Sequence, residues 1–148
     1  MNRFNALATG EKLLLGAGAL LALDLLLLPW HDIIFVNRTA LQSPNALWGW
    51  LAFLVALATV VWLVLTRFTT TKLPALPVPL ARAETIAGIA AGALVLVKLI
   101  VETSFLGAGA YIGVALGAAM AAGGVMVSRT PGTPGTPGPA GPPEAPIG

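Results

Sequence analysis

Four apolar stretches dominate this chain, and each has about the length of a helix that crosses a membrane. They run from Leu13 to about Trp30, from Leu47 to Leu65, from Ile86 to about Phe105, and from Leu106 to Val127. About 20 helical residues cross ~30 Å of hydrocarbon, and lipid offers no hydrogen-bond partner to an unpaired backbone. The sequence therefore predicts an all-α fold, a four-helix transmembrane bundle. Its helices are expected over about residues 12–30, 47–66, 84–105 and 107–128.

The composition agrees with a lipid bilayer as the surroundings of most of the chain. Of the 148 residues, 57% are hydrophobic and 9% are charged, whereas soluble domains carry about 25% charged residues. We assign residues 1–129 to one membrane domain. Residues 130–148 are rich in Pro, Gly and Thr and offer no apolar face, which predicts a disordered C-terminal tail.

Several chemistries have little support in the sequence. The chain has no cysteine and one histidine, which argues against thiol catalysis, iron–sulfur ligation and a multi-histidine metal or haem site. It also has no visible Ser–His spacing and no phosphate-binding Gly loop before a lysine. We expect no enzymatic activity, no catalytic residues, no cofactor and no metal site. The few cations lie at predicted helix ends and form no basic cluster, so no nucleic-acid partner is expected.

The first apolar stretch resembles a signal peptide because Arg3 and Lys12 precede it. However, it ends in Leu28-Pro29-Trp30-His31-Asp32 with no small-residue cleavage site. We therefore predict an uncleaved first helix.

Basic residues predict the orientation of the helices. One side of the predicted membrane domain carries Arg3, Lys12, Arg67, Lys72, Arg82 and Arg129. The other side carries Arg38 alone. Because cytoplasmic segments are enriched in Lys and Arg, both termini are expected in the cytoplasm and the protein in the plasma membrane. Aromatic residues are expected at the two interfaces: Trp30, Trp48, Trp50 and Tyr111 outside, and Trp62 and Phe68 inside.

Three ionisable residues interrupt the apolar stretches: Asp24, Lys98 and Glu102. A charge at the middle of a membrane helix costs about 2.5–3.5 kcal/mol on insertion scales, so such residues usually face partners or water. Asp24 lies about 18 Å beyond Lys12, and Lys98 about 21 Å beyond Glu84, at 1.5 Å per residue. The two helices are predicted to run in the same direction, which places Asp24 and Lys98 at similar depth. Glu102 follows Lys98 by one helical turn.

Further polar residues continue this cluster toward the outer surface. His31, Asp32 and Arg38 are expected at its mouth, with His31 on the face of Asp24 if the first helix persists past Pro29.

Two interpretations of the cluster remain open. In the structural one, Asp24 and Lys98 form an ion pair that fixes the first helix against the third. In the functional one, a buried carboxyl takes up and releases a proton, or Lys98 holds a small anion.

Small residues mark the third and fourth helices as packing surfaces. Gly109, Gly113 and Gly117 recur every four residues on the fourth helix, and Gly88 and Gly92 do so on the third. This spacing lets helix backbones approach closely, either inside one chain or between the chains of a homo-oligomer.

The helical part, roughly residues 10–128, resembles small four-helix integral membrane proteins of high-GC actinobacteria. The residues that carry the resemblance are Gly10-Glu11-Lys12-Leu13-Leu14-Leu15, Leu28-Pro29-Trp30-His31-Asp32, Arg38-Thr39-Ala40-Leu41 and Ser43-Pro44-Asn45, together with a tail rich in Pro, Gly and Ala. The resemblance implies a membrane domain and carries over no catalytic residues.

These features lead to three functional hypotheses. The first is a non-enzymatic accessory or scaffold component of an envelope complex, with a membrane-protein partner. The second is a small oligomeric proton-linked transporter or channel that uses Asp24, Lys98 and Glu102. The third is a phage-type holin, although the strongly charged tail of holins is missing.

Overall fold

Four helices make up most of the structure, a computed structural model that describes residues 3–33, 36–42, 45–70, 74 and 77–130. Their bounds are α1 Thr9–Leu27, α2 Ala46–Phe68, α3 Leu80–Val101 and α4 Ala108–Arg129. A short 3₁₀ turn, Arg3–Ala6, precedes α1. The prediction of a mostly helical chain with four helices is confirmed. The tail from residue 131 onward lies outside the described residues.

Three of the helices, α2, α3 and α4, are long and apolar enough to cross a membrane by length and composition. Helix α1 is 19 residues long and contains Glu11, Lys12 and Asp24. Its charges, and not a lack of apolar residues, separate it from the other three.

The all-α prediction is wrong in one place, because a two-stranded antiparallel sheet follows α1. Strand β1, Pro29–Ile33, pairs with β2, Val36–Thr39. Helix α1 ends at Leu27 and not near Trp30, since the residue before a proline is pushed out of the helical region. Leu28 accordingly adopts φ −83° and ψ 146°. The two paired strands form a hairpin, and residues 34 and 35 between them lie outside the described residues.

The third helix begins and ends about four residues earlier than predicted, over Leu80–Val101. Glu102 therefore lies just after α3, although its backbone N–H still donates to the carbonyl of Lys98 at 3.0 Å. A short connection with Phe105 at φ 56° leads into α4.

The four helices pack in a ring in chain order. Helix α4 contacts α1 and α3, and α2 also contacts α1 and α3. Helices α1 and α3 thus lie across a diagonal. Buried Leu14, Leu21, Val95 and Met120 fill the interior between them.

Polar contacts gather at the two ends of this ring. At the hairpin end, Gly107 before α4 donates its backbone N–H to the carbonyl of Trp30 at 2.8 Å. At the opposite end, Thr85 of α3 donates its hydroxyl to the carbonyl of Gly124 at 2.8 Å. The two ends hold the two polar clusters described next.

Candidate functional site

Asp24 is anchored by a tryptophan from the hairpin. The indole Nε1 of Trp30 donates a 3.0 Å hydrogen bond to Oδ2 of Asp24. Both residues are buried, at 2% and 1% exposure. Because Pro29 ends the helix, Trp30 folds back over the last turn of α1. The sequence indicated an interface position for this tryptophan, whereas the structure places its ring inside the protein.

Lys98 and Glu102 form an ion pair at the same end of the helix ring. Nζ of Lys98 donates to Oε2 of Glu102 at 2.8 Å, and the Lys98 side chain is fully buried. Oε2 of Glu102 also lies 3.2 Å from Nε2 of His31, and Oε1 accepts the backbone N–H of Asn45 at 2.9 Å. Glu102 therefore ties together α3, the hairpin and the start of α2.

The predicted ion pair between Asp24 and Lys98 is not formed. Among the ion pairs between described residues, Lys98 pairs with Glu102 and Asp24 appears in none. The Trp30 ring lies beside both charges, with its centroid 5.6 Å from Nζ of Lys98. Equal depth alone does not pair the two charges, because α1 and α3 are diagonal in the ring and the Trp30 ring lies beside both.

We name Asp24, Trp30, His31, Lys98 and Glu102 the Trp30 cluster. The structure thus gathers all three residues of the predicted intramembrane cluster, but in another pairing. A buried carboxylate commonly needs hydrogen bonds or an ion pair to offset its desolvation, and here Trp30 and Lys98 supply them.

The residues expected at the mouth are partly brought to the cluster. His31 and Arg38 line an open cleft of about 290 Å³ beside Glu102. Asp32 pairs with Asn37 across the hairpin, and its side chain lies outside the described part of the structure. His31 reaches Glu102 from strand β1 and not from an extension of α1.

The predicted glycines face other elements of the same chain. Cβ atoms added at Gly88 and Gly92 would lie 2.5 Å and 2.8 Å from the carbonyl oxygens of Met120 and Gly117, respectively. A Cβ added at Gly113 would lie 2.7 Å from Oδ2 of Asp24 and would contact the Trp30 ring. Gly109 faces Trp30 as well. Of the two expected uses of these glycines, this placement corresponds to packing within the chain.

A second cluster at the opposite end was missed by the sequence analysis. Arg67 at the end of α2 forms a short ion pair with Glu11 of α1 and lies 3.5 Å from Oε1 of Glu84 in α3. We name these three residues the Arg67 cluster. The sequence predicted only that they lie at helix ends, whereas the structure buries the Glu84 side chain at 1% exposure. The sequence did contain one signal for this cluster, because all three residues lie at the same predicted depth.

The Arg67 cluster borders an open cleft of about 430 Å³ that Arg3 also lines. Glu11 has a further local role, because its Oε2 accepts the backbone N–H of Ala8 at 3.0 Å and caps the start of α1. Both oxygens of Glu84 and Nε of Arg67 are buried and form no hydrogen bond within the described part of the chain.

The two clusters offer ion pairs and hydrogen bonds among buried and half-buried polar side chains. Among the described residues, no group of three or more His, Cys, Asp or Glu side chains is arranged to hold a metal ion. No family model, curated protein or solved structure matches this chain.

Proposed function

We propose that this chain is an integral protein of the plasma membrane in which all four helices cross the bilayer. The outward faces support α1 as the fourth span. On α1, Leu20, Leu23, Leu26 and Leu27 are 45–67% exposed, while its three ionisable residues lie at or near the clusters. An apolar outer surface around buried charges is what a hydrocarbon surrounding favours.

Both termini are assigned to the cytoplasm in this proposal. Arg3, Lys12, Arg67, Arg82 and Arg129 all belong to the end of the ring that holds the Arg67 cluster. Arg38 belongs to the hairpin end. The excess of basic residues at one end is the property that orients membrane proteins.

The function that the geometry supports best is that of a non-enzymatic accessory or scaffold subunit of an envelope complex. The observation that carries this proposal is the apolar layer between the two polar clusters. Leu14, Leu21, Val95 and Met120 are all 0% exposed and lie between the clusters. A layer of packed apolar side chains is a barrier to ions within one chain. The same layer makes a rigid body that a membrane-protein partner or a second copy can bind.

Purification in native membrane discs tests this function. The full chain carries an affinity tag and is isolated from membranes of the source cells, and the mass of the assembly is measured. We expect a heteromeric assembly of fixed stoichiometry. A lone symmetric oligomer that carries protons across vesicle membranes would contradict the proposal.

One observation favours proton-linked transport as the second candidate. Oδ1 of Asp24 and Nδ1 of His31 are buried and form no hydrogen bond with described residues. Unsatisfied buried atoms on titratable side chains call for a physical explanation, and a proton-transfer role is one. In vesicles loaded with a pH-sensitive dye, this function requires a proton flux that Asp24→Asn abolishes.

A further inference from the structure

An open apolar groove runs between α2 and α3. Its volume is about 520 Å³, and its lining includes Val55, Thr59 and Trp62 of α2 and Glu84, Ala87 and Ala90 of α3. The small alanine side chains of α3 leave space that larger residues would fill. The hydroxyl of Thr59 is satisfied within α2, since it donates to the carbonyl of Val55 at 2.7 Å.

Two residues that line this groove carry buried polar atoms that lack hydrogen-bond partners among the described residues. These are the indole Nε1 of Trp62, a donor, and the carboxylate of Glu84, an acceptor. Glu84 is 2% exposed, and leaving such a group unsatisfied in an apolar site is unfavourable. A ligand that supplies one donor and one acceptor would satisfy both groups.

The charge of the site favours a cationic donor. Glu84 shares the guanidinium of Arg67 with Glu11. Arg3 lines the neighbouring cleft, but it donates to the carbonyl of Phe68 and appears in no ion pair between described residues. Two carboxylates are therefore paired with one arginine. An ammonium group with N–H donors complements the remaining negative charge at short range.

The extent of the groove suits a lipid. The lining residues occupy Val55–Trp62 of α2 and Ala83–Ala90 of α3, together with Val78 just before α3. At 1.5 Å per residue each of the two helical stretches is about 10 Å long. This length fits within one leaflet of a hydrocarbon core that is ~30 Å thick, as a single phospholipid does.

We propose that this groove binds a phospholipid with a primary ammonium headgroup, of the phosphatidylethanolamine class. The ammonium donates to Glu84, the indole N–H of Trp62 donates to a phosphate or ester oxygen, and an acyl chain lies along Ala87, Ala90 and Val55. This inference rests on the membrane location proposed above and names a partner from the leaflet at the Arg67 end.

Competition between headgroups tests the site. The full chain is incorporated into membrane discs of equal parts phosphatidylethanolamine, phosphatidylcholine and phosphatidylglycerol. It is then transferred to detergent, and the retained lipid is identified by native mass spectrometry. Phosphatidylcholine is the matched headgroup control, because it carries the same charges without an N–H donor. We expect phosphatidylethanolamine to exceed each of the other two about tenfold, as one charge-assisted hydrogen bond allows.

Four variants separate headgroup recognition from groove occupancy. Glu84→Gln and Trp62→Phe should each reduce the enrichment of phosphatidylethanolamine severalfold. Ala87→Leu, which fills the groove, should reduce the retention of every lipid. Ala93→Leu is the control, because Ala93 is exposed on the same helix and outside the groove lining. If Glu84→Gln does not fold, Trp62→Phe and the two leucine variants still decide.

Several other outcomes would refute the proposed lipid site. Equal retention of the three lipids, preference for phosphatidylglycerol, or enrichment that survives Trp62→Phe and Ala87→Leu would show that the groove does not recognise this headgroup. A tightly bound polypeptide in the place of the lipid would also refute it. If the wild-type chain does not enter the discs at all, the proposed membrane location is refuted together with the lipid site.

Discussion

Trp30 and Asp24 are joined by a 3.0 Å hydrogen bond from the indole Nε1 to Oδ2, although Trp30 lies in strand β1 and Asp24 in helix α1. The same ring lies 5.6 Å from the ammonium of Lys98. One aromatic side chain from the hairpin thus stands between two charges on diagonal helices. The stability of the hairpin end should therefore depend on this ring.

Replacing Trp30 by Phe should lower the free energy of unfolding by about 2 kcal/mol. The loss combines one hydrogen bond to a carboxylate with the volume of the second ring. Trp50→Phe is the control, because Trp50 is 46% exposed and should change stability by less than about 0.5 kcal/mol. Denaturant titration of the detergent-solubilised chain measures both values. Equal effects of the two substitutions would contradict the assignment of Trp30 to the interior.

A methyl group at Gly113 should be destabilising by about 1–3 kcal/mol, because the pocket between Asp24 and Trp30 has no room for it. Gly16→Ala is the matched control. A Cβ at Gly16 meets no heavy atom within 4 Å, and replacing a helical glycine by alanine commonly stabilises by up to about 1 kcal/mol. Thermal unfolding of the two variants should therefore shift in opposite directions. A destabilising effect of Gly16→Ala as large as that of Gly113→Ala would argue against the close contact.

Double-mutant cycles should distinguish the ion pair that forms from the one that does not. For Lys98→Met with Glu102→Gln, we expect a coupling energy of about 1–3 kcal/mol, since the two groups are in direct contact. For Lys98→Met with Asp24→Asn, we expect less than half of that value. The free energy of unfolding of each single and double variant provides both couplings. A larger coupling energy for Lys98 with Asp24 than for Lys98 with Glu102 would contradict this prediction and support a direct ion pair between Asp24 and Lys98.

Removing Arg67 should leave two carboxylates facing each other without their shared cation. Arg67→Met should cost about 2 kcal/mol, reduced from the value of a fully buried pair because the Arg67 side chain is 33% exposed. Adding Glu84→Gln should recover part of this loss by removing one buried charge. Arg82→Met is the control at an exposed position and should be nearly neutral. A double variant less stable than Arg67→Met alone would count against this reasoning.

The orientation can be tested with single cysteines, because the natural sequence contains none. Ser104 and Thr70 are both exposed, in the α3–α4 connection and just after α2, respectively. In intact cells, a membrane-impermeant maleimide should label Ser104→Cys and not Thr70→Cys. After permeabilisation, both should react. Labelling of Thr70→Cys alone in intact cells would reverse the proposed topology.

Depth along the helices was predictable, and lateral position was not. A helix advances 1.5 Å per residue, so the spacing of Asp24, Lys98 and Glu102 placed them near one another along the ring axis. The sequence contains no comparable measure of which helix lies beside which. Only the structure shows that α1 and α3 are diagonal and that Asp24 bonds to Trp30 and not to Lys98.

Sequence signals at the ends of helices also gave no information about which elements lie side by side. Pro29 was visible in the sequence as the end of an apolar stretch, but the hairpin after it depends on pairing with residues up to Thr39. Trp30 therefore looked like an interface anchor. The Arg67 cluster was not predicted for the same reason, because its three members come from three different helices.

By itself, the amino-acid sequence determined the four helices and the apolar character that makes three of them long and apolar enough to cross a membrane. The length and hydropathy of a segment are local properties. The tertiary structure alone decided which polar groups from different elements meet. It turned Trp30 inward onto Asp24, brought His31 to Glu102 and gathered Glu11 and Glu84 around Arg67. These choices depend on how the helices are arranged around the ring, and a buried charge is stabilised only by the neighbour that this arrangement supplies.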